Sequence, residues 1–70
     1  MKNNVQNWTV QQVSLWLKQE GFESYIPLFQ KHEIDGFVLL SLTENDLRLQ
    51  PLQINKLGDI KKLFYKIKQL

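Results

Sequence analysis

Residues 34–47 read IDGFVLLSLTENDL, and this stretch carries two helix starts in close succession. Asp35-Gly36 marks a turn and supplies a cap for a short helix over GFVLLS. Thr43-Glu44-Asn45-Asp46 repeats the signal. Thr43 suits the N-cap, Asp46 falls at N3, and two acids lie near the positive end of the helix dipole. The second helix is predicted over about 44–48. No segment of the chain shows strand alternation bounded by turns.

The same punctuation continues outward in both directions. Upstream, Trp8-Thr9-Val10-Gln11-Gln12-Val13 reads as a capping box with Thr9 at the N-cap and Gln12 at N3. Trp8 and Val13 fit a hydrophobic staple around it. Val10, Val13, Trp16 and Leu17 recur at helical spacing, and Gly21 suits a left-handed stop, so a helix is predicted over about 10–20. Another is predicted over about 24–31 with Tyr25, Leu28 and Phe29 on its apolar stripe and Pro27 in its first turn. Downstream, Pro51 marks a connector, and Asn55 is expected to cap a long final helix over about 56–69. The fold class is therefore all-α, a compact five-helix bundle with its longest helix last. The expected core is Trp8, Val13, Trp16, Leu17, Tyr25, Phe29, Ile34, Leu39, Leu40, Leu42, Leu47, Leu52, Ile54, Leu57, Ile60, Leu63, Phe64 and Ile67.

Seventy residues make one domain at most, with a small core. The chain has no cysteine, which excludes disulfides and thiolate metal sites. It has no apolar run of the roughly 18 residues needed to span a bilayer. MKNNVQN does not read as a signal peptide, and residues 1–6 are expected to be frayed or disordered. No catalytic constellation is visible. His32 is the sole histidine and reads as a surface or capping residue, while Ser14, Ser24 and Ser41 lack a base and its orienting partner. The acids of 33–46 do not follow an EF-hand pattern, and Gly58 alone is not a phosphate loop. No catalytic, cofactor-binding or metal-binding residue is expected.

Taken in order, W-T-x-x-x-V-x-x-W-L, G-F-x-x-Y, F-x-x-x-x-I-D-G-x-x-L-L-x-L-T-x-x-D-L and L-x-I-x-x-L-G resemble a sterile alpha motif (SAM) domain. The resemblance runs from about residue 7 to the C-terminus and implies a SAM domain over 7–70. Two departures stand out. The connector DLRLQPLQI is two residues longer than is usual in the family, with Gln53 where glycine is common, and Asp59 follows the glycine of the last helix. Within the family, WLKQEGF, LLSLTENDLR, PLQI and LGDIKKL are most similar to the N-terminal SAM domains of sphingomyelin-synthase-related proteins. Those are multi-span enzymes of the endoplasmic reticulum that make ceramide phosphoethanolamine. The resemblance implies a non-catalytic domain on the cytosolic face of that membrane.

Charge is divided along the chain. Glu20, Glu23, Glu33, Asp35, Glu44 and Asp46 make the middle acidic, while Arg48, Lys56, Lys61, Lys62, Lys66 and Lys68 make the end basic. The resemblance implies head-to-tail self-association of two such surfaces. The end-helix surface would comprise Lys56, Gly58, Asp59, Lys61, Lys62 and Lys66, and the mid-loop surface Glu33, Asp35, Phe37, Val38, Glu44 and Asp46. A heterotypic adaptor role, with a different SAM domain or another protein as partner, is the alternative. An RNA hairpin ranks below both, because Asp59 would face the phosphates and Tyr65 stands alone for stacking. Membrane insertion is not expected, since the core requires the apolar face of the last helix.

Overall fold

The computed structural model describes residues 4–70. Five α-helices run in chain order: α1 (Val10–Gln19), α2 (Ile26–Lys31), α3 (Gly36–Ser41), α4 (Glu44–Arg48) and α5 (Leu57–Lys68). Short 3₁₀ turns at Val5–Asn7 and Glu23–Tyr25 precede α1 and α2.

The helix starts are set by side chains close in sequence. The Gln12 amide donates to Thr9 Oγ1 at 3.2 Å, and the Thr9 amide donates to Gln12 Oε1 at 2.8 Å. Thr43 and Asp46 make the same reciprocal pair at 3.1 and 2.9 Å. Asp35 accepts from the Val38 amide at 3.0 Å. Each cap satisfies amides that the first helical turn leaves unpaired. Gly21 closes α1 at φ 88°, a left-handed stop. The helix expected over 24–31 begins instead as a 3₁₀ turn, with Pro27 in the first turn of α2, where no N–H is needed. Asn55 does not cap α5. That helix starts at Leu57, so Lys56 holds the N-cap position without a side-chain bond, and Asn55 lies one residue too early.

Val13, Trp16, Leu17, Phe22, Phe29, Ile34, Leu39, Leu42, Leu47, Leu52, Ile54, Ile60, Leu63 and Ile67 form one buried cluster, with Trp8, Tyr25 and Phe64 packed half-buried against it. Two residues expected in the core lie outside it. Leu57 is 60% exposed because it lies about 60° around the helix from Ile60, on the side away from Leu63 and Ile67. Leu40 is 43% exposed because it lies about 100° around α3 from buried Leu39, at the edge of the inward face. Phe22, absent from the expected core, is buried after the Gly21 stop.

Of the residues expected to be frayed, 1–3 lie outside the described residues. Val5 is only 6% exposed, in the 3₁₀ turn that packs on α3. The Gly36 amide donates to the Trp8 carbonyl at 2.9 Å. A Cβ at Gly36 would meet the Val5 carbonyl oxygen at 1.7 Å, so glycine is what allows this approach. The connector between α4 and α5 is tied back by Gln53 N–H to Leu49 O and Ile54 N–H to Leu47 O, both 2.9 Å. Gln53 is left-handed at φ 49°, which accounts for the glycine common there in the resembled family; Glu33 has φ 53°.

Candidate interaction surfaces

The buried stripe of α5 is Ile60, Leu63 and Ile67. The 100° advance per residue then puts Gly58, Lys62 and Tyr65 on its outward side. Nothing lies within 4 Å of a Cβ built on Gly58, so the first turn offers bare backbone. Beside it Leu57 projects into solvent. Lys56 and Lys62 are exposed and have no ion-pair partner among the described residues.

The other expected end-helix residues are engaged within the fold. Lys61 Nζ lies 2.9 Å from Glu44 Oε1, and Lys66 Nζ lies 3.1 Å from Glu20 Oε1. Lys68, which is not one of the expected end-helix residues, sits over the Phe64 ring, 5.7 Å from its centroid. Asp59 is half-buried and accepts a 2.5 Å hydrogen bond from Tyr25 Oη. Burial first, and the adjoining Asp59 carboxylate second, push the Tyr25 phenol up to about 12. This bond ties the start of α5 to the turn before α2.

On the mid-loop side, Phe37 is 68% exposed, and with Leu40 one turn on it makes an apolar pair on the outer side of α3. Val38 instead packs half-buried against the core. Asp35 and Asp46 act as caps, Glu33 is exposed, and Glu44 is held by Lys61. The acidic middle and basic end thus meet inside one copy at Glu44–Lys61, two residues that the family resemblance assigned to opposite surfaces. Sequence reasoning missed Leu40 and Leu57 as exposed apolar groups, although the wheel position of Leu57, off the Ile60–Ile67 arc, was a usable signal. No sequence signal pointed to Glu20 as the partner of Lys66, since that pairing joins α5 to the end of α1.

Among the described residues, no group of three or more His, Cys, Asp or Glu side chains is placed to hold a metal ion. No helix among them is long and apolar enough to cross a membrane.

Residues 6–70 match the SAM domain (sterile alpha motif) family. The chain belongs to the SAM family. A SAM domain is a protein-interaction module without catalytic machinery of its own. Human sphingomyelin synthase-related protein 1 is 48% identical over 67 residues, which cover 94% of this chain and 16% of that protein. Sphingomyelin synthase-related 1 of Caenorhabditis elegans is 45% identical over 64 residues, covering 90% of this chain and 13% of the relative. The chain therefore spans only a small part of the relatives it matches. Among solved structures, a Polyhomeotic SAM domain superposes with a TM-score of 0.85 at 30% identity, covering 99% of this chain and 97% of that one. A chain of the Scm-SAM and Sfmbt-SAM heterodimer gives 0.84 at 32% identity, covering 93% and 90%.

Proposed function

We propose that this SAM domain self-associates head to tail, the start of α5 from one copy seating on the α3 face of the next. The observation that carries the reading is the exposure of two separate apolar groups that lie beside opposite charges, Leu57 next to bare Gly58 and the Phe37–Leu40 pair; Leu15 on α1 and Leu49 after α4 are exposed as well, outside these two surfaces. Lys56 and Lys62 flank the first group, and Glu33 and Asp35 precede the second along the chain, so the flanking charges are complementary. The two patches differ, so the contact is heterologous and produces either an open chain or a ring. Association of SAM domains has a precedent in the Scm-SAM and Sfmbt-SAM heterodimer, which also favours the second reading, in which a different SAM domain takes one side.

The similarity to sphingomyelin synthase-related proteins supports a parent of that kind, membrane-bound and active in sphingolipid metabolism, with this domain on the cytosolic face of the endoplasmic reticulum clustering it. Nucleic acid fits less well. Asp59 turns onto Tyr25 instead of facing outward as the sequence suggested, so it is not the obstacle. Two of the α5 lysines are already neutralised by Glu44 and Glu20, and Tyr65 is the single exposed aromatic of that helix.

The test is a pair of interface variants, Phe37→Glu and Leu57→Glu, each measured alone and mixed in equal amounts by sedimentation velocity. Each variant alone is expected to be monomeric, and the mixture to form a dimer and nothing larger. A mixture that stays monomeric while the unmodified domain assembles would refute the two-surface arrangement.

A further inference from the structure

The outward arc of α5 extends well past the start of the helix. At about 100° per residue, Leu57, Gly58, Lys61, Lys62, Tyr65 and Lys68 all fall within about 140° of the helix surface, and all are exposed. The arc carries lysines and no acid over the 12 residues of the helix, a length of about 18 Å. Lys56 adds a further cation at its N-terminal end. Each acid beside α5 is turned aside within the fold. Asp59 accepts from Tyr25, Glu44 reaches Lys61 at one edge of the arc, and Glu20 reaches Lys66 beyond the other. Leu57 is 60% exposed at one end of the lysine row, and Tyr65 is 62% exposed toward the other.

A straight strip of cations with an apolar group toward each end fits a planar anionic surface. Lysine stems lie along such a surface while their heads reach its phosphates, and a tyrosine ring sits at headgroup level with one apolar and one polar end. The Lys61–Glu44 pair is exposed and weak, so a headgroup phosphate can replace the carboxylate. We propose that the outward face of α5 docks on an anionic bilayer, with Lys61, Lys62 and Lys68 against the headgroups and Leu57 and Tyr65 at headgroup depth. The docking is peripheral. Ile60, Leu63 and Ile67 stay in the core, so the bundle remains intact on the membrane. It requires neither the head-to-tail contact nor a particular parent protein. A membrane-bound parent of the kind proposed above would lower the affinity needed, because the tether holds the domain close to the bilayer.

Vesicle cosedimentation of the Phe37→Glu domain tests this, since that change leaves α5 untouched and keeps assembly from adding avidity. Vesicles of phosphatidylcholine alone are compared with vesicles containing about a third phosphatidylserine, at low and high salt. Binding is expected to the anionic vesicles only, and to weaken as salt rises. Lys62→Gln is expected to lower the partition coefficient roughly fivefold, the worth of one lysine near such a surface. Tyr65→Ser is expected to lower it roughly threefold by removing the interfacial ring. Lys31→Gln, on α2, removes the same charge from another helix and is expected to change it less than twofold. Helical circular dichroism is expected to be the same with and without vesicles. No binding to the anionic vesicles at low salt overturns the proposal. So does an equal loss from Lys31→Gln and Lys62→Gln, which would make net charge the cause instead of this face. Binding of an RNA hairpin without vesicle binding would assign the lysines to nucleic acid and overturn it too. None of these results bears on the head-to-tail contact, which is read from the unmodified domain without vesicles.

Discussion

Replacing Gly36 by alanine probes the close approach of the N-terminal turn to α3. The added Cβ would lie 1.7 Å from the Val5 carbonyl oxygen and 2.9 Å from both Cβ and N of Trp8. Two of these three atoms are backbone, so rotating a side chain does not relieve the overlap. The 3₁₀ turn Val5–Asn7 must move off α3, and the 2.9 Å hydrogen bond from the Gly36 amide to Trp8 goes with it. Losing that bond costs about 0.5–1.5 kcal/mol. Re-exposing Val5 costs about 1.5 kcal/mol more, and partial exposure of Trp8 adds to both. The alanine offsets about 0.4–1 kcal/mol by restricting the unfolded chain. The net expectation is a loss of about 2–3 kcal/mol. At roughly 0.05–0.15 kcal/mol per residue, that is a large part of the stability of a 70-residue domain. At about 4–8 °C per kcal/mol, the melting temperature should fall by about 10–20 °C. Circular dichroism at 222 nm, with urea titrations followed by tryptophan fluorescence, measures both quantities. Gly58→Ala is the control. It meets nothing within 4 Å and should leave stability unchanged or raise it by up to about 1 kcal/mol. A Gly36→Ala domain within about 0.5 kcal/mol of the original would show that the N-terminal turn does not pack on α3 as described.

Three further outcomes follow from the same geometry. Gln53→Gly removes a left-handed non-glycine residue and should raise stability by about 0.5–1 kcal/mol in urea titrations; a loss would mean that the connector does not hold φ 49°. In a Tyr65→Phe background, Tyr25 is the remaining tyrosine, and its absorbance titration should centre near 12. Its folded value lies above the 10.0 of the free side chain, so its contribution to stability is whole below pH 10 and is lost as pH rises through about 12; a midpoint near 10 would contradict the Asp59 bond. Glu44→Gln should leave assembly within about twofold, because Glu44 is engaged with Lys61 of its own copy and exposed pairs contribute little. Dissociation of the assembly by this change would put Glu44 in the contact.

The parts of this fold that were legible in sequence are those built from neighbouring residues. Thr9 with Gln12, Asp35 with Val38, and Thr43 with Asp46 each bond across three positions, so α1, α3 and α4 could be placed from the residue types alone. The start of α5 lacks such a cap, and there the expectation based on Asn55 failed. Orientation was harder to read. Leu40 and Leu57 carry apolar side chains at helical spacing, and only the positions of the neighbouring helices decide that they face water. The candidate surfaces suffered most from this. Charge counting along the chain found an acidic middle and a basic end, but it could not show that Glu44–Lys61 and Glu20–Lys66 close within one copy, because those pairs join different helices. For the same reason the apolar partner of Phe37 on α3 is Leu40, one helical turn away, and not the adjacent Val38.

The central claim, that the start of α5 on one copy meets the α3 face of another, is tested most directly by sedimentation velocity of the 70-residue domain over a concentration series at low and high salt. Species should grow with concentration and shrink, without vanishing, as salt screens the flanking charges around the apolar contact. A monomer at every concentration and salt would contradict self-association and turn the two exposed patches toward a different SAM partner.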